Sequence, residues 1–233
     1  VTYDHDRNFM LFLYRDNYKS IEDLSQKELR LAGLRINPKK NIGSRITYYN
    51  NVKIKNLKSK NPEINDIIGI PNNPLIANIN WSPNQKNIAF TNTSSDGVRL
   101  WVLNLESRSL TKLSDLKLNS NIGDVINWVN DNEIIVKVIP ENKQNLIDQD
   151  GIVPMGPTIS SNEGENAQNR TYQDLLKNKT DEFNFEQLVT SDLYLINLNG
   201  KKQKWLDADM YTTISPSPDG NFIMVSNIKK PFS

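Results

Sequence analysis

Few residues in this chain could move a proton or hold a charged ligand, and they are widely scattered. A hydrolytic serine needs a base that takes and returns a proton near neutral pH, and histidine is the usual one. The chain has one histidine, His5. It stands in the polar stretch Tyr3-Asp4-His5-Asp6-Arg7-Asn8 and reads as a solvated turn residue, aligned with Ser82, Val129 and Ser217. There is no Gly-x-Ser-x-Gly elbow, and the ten glycines form neither a dinucleotide fingerprint nor a phosphate loop. The absence of cysteine excludes thiol catalysis, disulfides and Cys-based metal sites. Asp148-Gln149-Asp150-Gly151 opens like a calcium loop, but Ile159 falls where the twelfth-position glutamate belongs, so no metal is expected. No cofactor and no catalytic residue is assigned. The carboxylate pairs Glu163/Glu165 and Asp181/Glu182 read as solvated surface. Arg170 is the one candidate substrate-binding residue, because a guanidinium can grip a carboxylate with two parallel hydrogen bonds.

These residues must be positioned by a chain of 233 residues with a formal charge of +1, 37% apolar residues and 33 asparagines. That charge gives no reason to expect nucleic acid or an anionic membrane as a partner. No apolar run approaches the roughly 18 residues that span a bilayer. The organising signal is a phrase repeated four times: strand, polar tight turn, second apolar strand. It reads Ile-Asn-Trp-Ser-Pro-Asn-Gln-Lys-Asn-Ile-Ala-Phe at 79–90 and Ile-Ser-Pro-Ser-Pro-Asp-Gly-Asn-Phe-Ile-Met-Val at 214–225. A copy one residue shorter occupies 126–136, and a fourth opens the chain. The step from Trp81 to Trp128 is close to the roughly 40–50 residues of one propeller blade, and the other two steps are longer.

The fold class predicted is all-β: a partial β-propeller of four-stranded antiparallel blades, about three plus the start of a fourth, with two mostly helical or loop insertions. The blades are expected at 1–73, 74–118 and 119–208, and the start of the next at 209–233. In the middle blade the strands fall at 75–81, 87–91, 98–105 and 110–113, separated by Ser-Pro-Asn, Ser-Asp-Gly and Glu-Ser turns. Trp81, Trp101 and Trp128 read as blade core. Both insertions fall between a second and a third strand, so both should emerge on one face of the disc. The first predicts a partly buried helix from the cap Ser20 to a stop at Gly33. The second, 140–190, predicts a short amphipathic helix at 171–177.

The phrases 20–38 (SIEDLSQKELRLAGLRINP), 79–90, 156–176 (GPTISSNEGENAQNRTYQDLL) and 215–220 resemble the N-terminal propeller of the prolyl oligopeptidase family of serine peptidases, and specifically its glutamyl-endopeptidase branch. The resemblance covers nearly the whole chain. It implies a propeller capping an α/β-hydrolase domain, with the catalytic Ser, Asp and His in that domain and none at a position of this chain.

The expected role is therefore that of a gate: the propeller of a serine endopeptidase, with cleavage after Glu implied by the branch, admitting extended peptides and inactive by itself. The partners implied are peptide substrates, the protein's own C-terminal hydrolase domain and other protein subunits. The alternative is a non-enzymatic periplasmic or surface scaffold that binds a protein on its decorated face. An arc of blades exposes sheet faces and a strand edge, so a longer chain or a bound partner is expected. Heavy use of Asn, Lys and Ile suits an AT-rich bacterial genome, and with the lack of cysteine it predicts a periplasmic or exported setting.

Overall fold

The computed structural model describes residues 1–148 and 174–232. In chain order the elements are β1 (Thr2–Tyr3), β2 (Phe9–Tyr14), α1 (Ile21–Leu24), β3 (Leu29–Leu31), β4 (Leu34–Asn37), β5 (Ile42–Gly43), β6 (Asn51–Asn56) and β7 (Ile64–Asp66). They continue with β8 (Ile76–Trp81), β9 (Asn87–Ser94), β10 (Gly97–Asn104), β11 (Ser109–Lys112), β12 (Ile126–Trp128) and β13 (Glu133–Val138). Last come α2 (Lys179–Val189), β14 (Ser191–Asn197), β15 (Lys202–Asp209), β16 (Tyr211–Pro216) and β17 (Ile223–Asn227). Among the described residues the fold is all-β apart from these two helices. Three four-stranded antiparallel sheets have the orders β1-β2-β6-β7, β8-β9-β10-β11 and β12-β13-β14-β15, followed by the β16–β17 pair. A small β3-β4-β5 sheet lies between β2 and β6 in sequence.

Three of the four copies of the repeated phrase form one kind of turn, and its chemistry is visible atom by atom. Ser82 Oγ accepts a hydrogen bond from Asn87 N at 3.0 Å, and Ser217 Oγ accepts one from Phe222 N at 3.0 Å. Asp4 Oδ1 accepts the matching bond from Phe9 N at 2.6 Å. The fourth residue of each turn has positive φ: Arg7 (52°), Gln85 (59°) and Gly220 (71°). Only at 220 is that left-handed position filled by glycine, which adopts it without a steric cost. The shared register corrects the expected alignment. Asp4, not His5, matches Ser82, Val129 and Ser217, while His5 matches Pro83 and Pro218. His5 is a solvated turn residue, its side chain 88% exposed. Successive turns also touch: His5 N donates to Gln85 Oε1 at 3.1 Å, and Asn84 N to Asp131 Oδ1 at 2.9 Å.

Period-two alternation explains why the middle strands are apolar on consecutive residues. In β10, Val98, Leu100 and Val102 join a core shared with Ile126, Trp128, Ile134, Val136 and Val138 of the third sheet. Leu103 turns the other way, into a core with Leu11, Val52 and Ile54 of the first. Trp81 and Trp101 pack against that second core half-buried, and Trp128 lies within the first. Trp128 Nε1 donates to Asn80 O at 3.1 Å and Asn80 Nδ2 to Ile126 O at 3.0 Å, so β8 and β12 bond reciprocally through side chains.

β13 follows the same alternation, with one polar intruder. Ile135 faces Tyr211 and Ile214, and Lys137, two residues on, points the same way and is fully buried. Its ammonium donates to Ile122 O (2.7 Å), Tyr211 O (3.0 Å) and Thr212 O (3.2 Å), three donors for three carbonyls. Gly123 permits this approach, since a Cβ there would lie 1.9 Å from Thr212 O and 3.0 Å from Lys137 Nζ. Burial pushes the Lys137 pKa down to about 8, with Asp124 opposing the shift.

Two outcomes are expected. Ser82→Ala should cost about 1–2 kcal/mol, because it strands the buried Asn87 N–H. Ser217→Ala should cost less, because water reaches Phe222 N–H. Denaturant titration of the two variants measures both. Between about pH 8 and the ordinary lysine value of 10.5 the unfolded chain holds the proton that folded Lys137 has shed. Stability should therefore rise with pH across that window and stay flat below it. Lys137→Met should remove this residue's share of the rise, leaving that of Lys143, whose pKa burial also lowers to about 8, and should lower stability by about 1–3 kcal/mol through the stranded carbonyls.

Candidate functional site

The first insertion departs from the expected helix. Ser20 does cap α1, its Oγ accepting from Asp23 N at 3.1 Å, but the helix closes after one turn when Ser25 N bonds Ile21 O at 2.9 Å. From Glu28 onward the spacing is two, not 3.6. Leu29, Leu31, Leu34 and Ile36 share one face of the β3–β4 hairpin, and Arg30 pairs with Arg35 on the other. Gly33 is not a helix stop. Ala32 (φ 48°) and Gly33 (φ 78°) form the two-residue turn in which both positions need positive φ.

The second insertion also differs. Residues 171–173 of the expected helix lie outside the described residues, and 174–177 are not helical. The helix is α2, a few residues later. Asn178 caps it, its Oδ1 accepting from Asp181 N at 2.8 Å. Its buried positions are Asp181, Asn184, Phe185, Leu188 and Val189, a helical stripe with two polar members. Asp181 is thus buried on a helix, not solvated as expected, and its carboxylate accepts from Lys177 N at 2.9 Å. Two asparagines bind the far end: Asn119 Nδ2 donates to Leu188 O and Thr190 O, and Asn121 Nδ2 to Leu188 O, at 2.7–2.9 Å.

The two insertions share one core. Leu31 and Ile36 pack with Phe185, Leu188, Val189 and Met210, and Leu29, Leu34, Leu146 and Leu176 flank them. Polar ties reinforce the contact. Lys27 meets Asp148 at 2.9 Å, Arg35 meets Asp174 at 3.4 Å, Gly33 N donates to Asp174 O at 3.2 Å, and Lys143 Nζ reaches Asn41. Burial pushes the Lys143 pKa down to about 8. Between the insertions lies a cleft of about 680 Å³, with β3 along one wall and residues 146–148, 174–178 and the start of α2 along the other.

Glu28 is the hub of its charges. Oε1 accepts from Arg30 Nε (3.0 Å) and Arg35 Nη1 (3.1 Å), Oε2 accepts from Ser44 Oγ (2.6 Å), and Arg45 stands 3.7 Å away. The Ser44 hydrogen bond, then the arginines, hold its pKa down at about 2, against the desolvation that would raise it. A carboxylate so firmly ionised is a poor proton acceptor, so Glu28–Ser44 is no nucleophile–base pair. The arrangement can bind and orient a ligand. No cluster of metal-ligating residues occurs among the described residues. Arg170, Glu163, Glu165 and the Gln149-Asp150-Gly151 part of the calcium-like stretch lie outside them. Glu28, Arg30, Arg35 and Lys177 were missed from sequence; the signal was the Leu-x-Leu and Leu-x-Ile alternation around Ala-Gly.

Over its whole length the chain is 33% identical to a rice (Oryza sativa subsp. japonica) protein named "Probable glutamyl endopeptidase, chloroplastic", of which it covers 26%. It is 31% identical to the Arabidopsis thaliana protein of the same name, covering 25%. The chain spans about a quarter of the length of these relatives. The kinship with glutamyl endopeptidases read from its phrases is thereby borne out. No family model matches the chain. Among solved structures, a Pyrococcus horikoshii acylaminoacyl peptidase aligns over 77% of this chain and 31% of its own, at 18% identity and a TM-score of 0.31, too loosely to bear on the fold.

Glu28 makes the first insertion acid-sensitive and, among the described residues, reaches the second only through Arg35, which it shares with Asp174. Its stabilising contribution is present above the ordinary carboxylate value of 4.5 and is lost as pH falls from there through about 2. Glu28→Gln should remove that part of the acid dependence, read from denaturation midpoints across the same range.

Proposed function

We propose that the chain is the propeller portion of a serine peptidase, with blades at 1–73, 74–118 and 119–208 and the start of another at 209–233. Its paired insertions govern how peptides reach an active site carried elsewhere in the protein. One observation carries the reading: a match along the whole chain to two proteins named as glutamyl endopeptidases, of which it spans about a quarter. Two features of the chain support a binding rather than a catalytic role. Its single histidine stands in an exposed turn, away from the cleft. Over their described residues its insertions pack into one wall-and-cleft unit that could hold a ligand. The catalytic Ser, Asp and His would then belong to a hydrolase domain as the partner within the same protein, and the substrates would be extended peptides cut after Glu.

The test is active-site labelling of the intact protein with a fluorophosphonate, alongside assays of chromogenic peptides ending in Glu or Lys. Covalent labelling outside 1–233, with turnover of the Glu peptide only, is the expected result. An intact protein that neither labels nor cleaves would overturn the peptidase reading.

A further inference from the structure

The β3–β4–β5 sheet is hydrogen-bonded along β4, and among the described residues no strand lies beyond β3. The two-residue turn makes Leu31 and Leu34 the inward-bonded pair of the hairpin. Alternation then turns the N–H and C=O of Arg30 away from β4, toward the open side. Among the described residues no backbone group meets them. The cleft runs along that edge: Leu29, Arg30 and Leu31 form one wall, and Ile147 and Leu175, 45% and 53% exposed, stand on the other. Its volume of about 680 Å³ is in the range that holds a peptide-sized ligand. An unpaired edge beside such a space is the geometry used for strand addition, where main-chain hydrogen bonds give affinity and alternate side chains give selectivity.

The charges that remain unspent give the ligand its sign. Glu28 is committed to Arg30, Arg35 and Ser44, Asp174 to Arg35, and Asp148 to Lys27. Asp181 accepts from Lys177 N. On the cationic side Arg30 gives only Nε to Glu28 and keeps a side chain 56% exposed, its terminal nitrogens turned to no described carboxylate. Lys177 lines the cleft, and no described carboxylate pairs with its ammonium. We infer that the β3 edge docks an acidic, extended peptide segment, which adds as a further strand with its carboxylates against Arg30 and Lys177. This site stands apart from the chemistry of cleavage and does not depend on the peptidase reading.

The test places a benzophenone amino acid at position 175 of the intact protein, first inactivated with fluorophosphonate if it labels. The probes are an eight-residue peptide alternating Val with Glu and its Lys-for-Glu analogue. Saturable photo-crosslinking of the acidic peptide is expected, with the analogue about tenfold weaker. Lys177→Gln should weaken the acidic peptide by up to about fivefold and leave thermal unfolding unchanged. Arg30→Pro, tolerated at an edge because no ladder bond is lost there, should remove crosslinking by deleting the outward N–H together with the guanidinium, whereas Arg30→Gln, which keeps the N–H, should only weaken it. Equal capture of both peptides, full crosslinking in Arg30→Pro, or crosslinks only to the chain itself or to a second copy would each overturn the proposal. Labelling and turnover report on the peptidase reading separately, so the two can fail independently.

Discussion

The contact on which the functional face depends is the packing of the apolar side of the β3–β4 hairpin on α2. Neither partner could persist alone. A hairpin with strands of three and four residues is marginal in water, and an eleven-residue helix is short of the length at which isolated helices hold. Burial of Phe185, Leu188, Val189, Leu31 and Ile36 supplies what local propensity lacks, at roughly 1.5–3 kcal/mol for each large side chain removed from water. Two segments far apart in sequence therefore order each other. The cleft, the Glu28 hub and the open β3 edge all follow from that pairing, because each uses residues whose positions the shared core sets.

The sheets beneath provide a rigid base by a different means. The turns between first and second strands carry their own caps, with a side-chain oxygen at Asp4, Ser82 or Ser217 replacing water on a backbone N–H. At the other end of the same strands the insertions leave. Lys137 fastens the third sheet to β16 through the carbonyls of Tyr211 and Thr212, with Ile122 O as its third partner, so the step from one sheet to the next is held by a buried cation as well as by apolar contact. The molecule is thus divided: sheets tied by side-chain caps and a buried cation at one level, and above them a face held by one shared core and ion pairs.

Much of the sheet structure could be read from the sequence because its signals are local. Asp219-Gly220 announces a turn, and Val98 to Leu105 alternates cleanly. The short fourth strand of the middle sheet and the positions of both insertions were also plain. The register of the turn was harder. Asp4 performs the same capping as Ser82 and Ser217 with a different functional group, so identity alone did not separate it from His5. The insertions misled for opposite reasons. Around Glu28 a helical cap at Ser20 masked a change of period from 3.6 to two within a few residues. In α2 two of the five buried positions, Asp181 and Asn184, are polar and satisfied by backbone partners, so the stripe did not look apolar. Neither the Glu28 hub nor the open edge could be seen before the hairpin and helix were placed together.

The central claim is that the two insertions form one cooperative unit, and hydrogen exchange of the intact protein, wild type beside Phe185→Ala, tests it most directly. The account predicts that removing this one ring from α2 strips protection from the amides of β3 and β4 as well as from α2, while β8 to β11 stay protected. Unchanged protection in β3 and β4, with loss confined to α2, would show that the insertions fold separately and would contradict it.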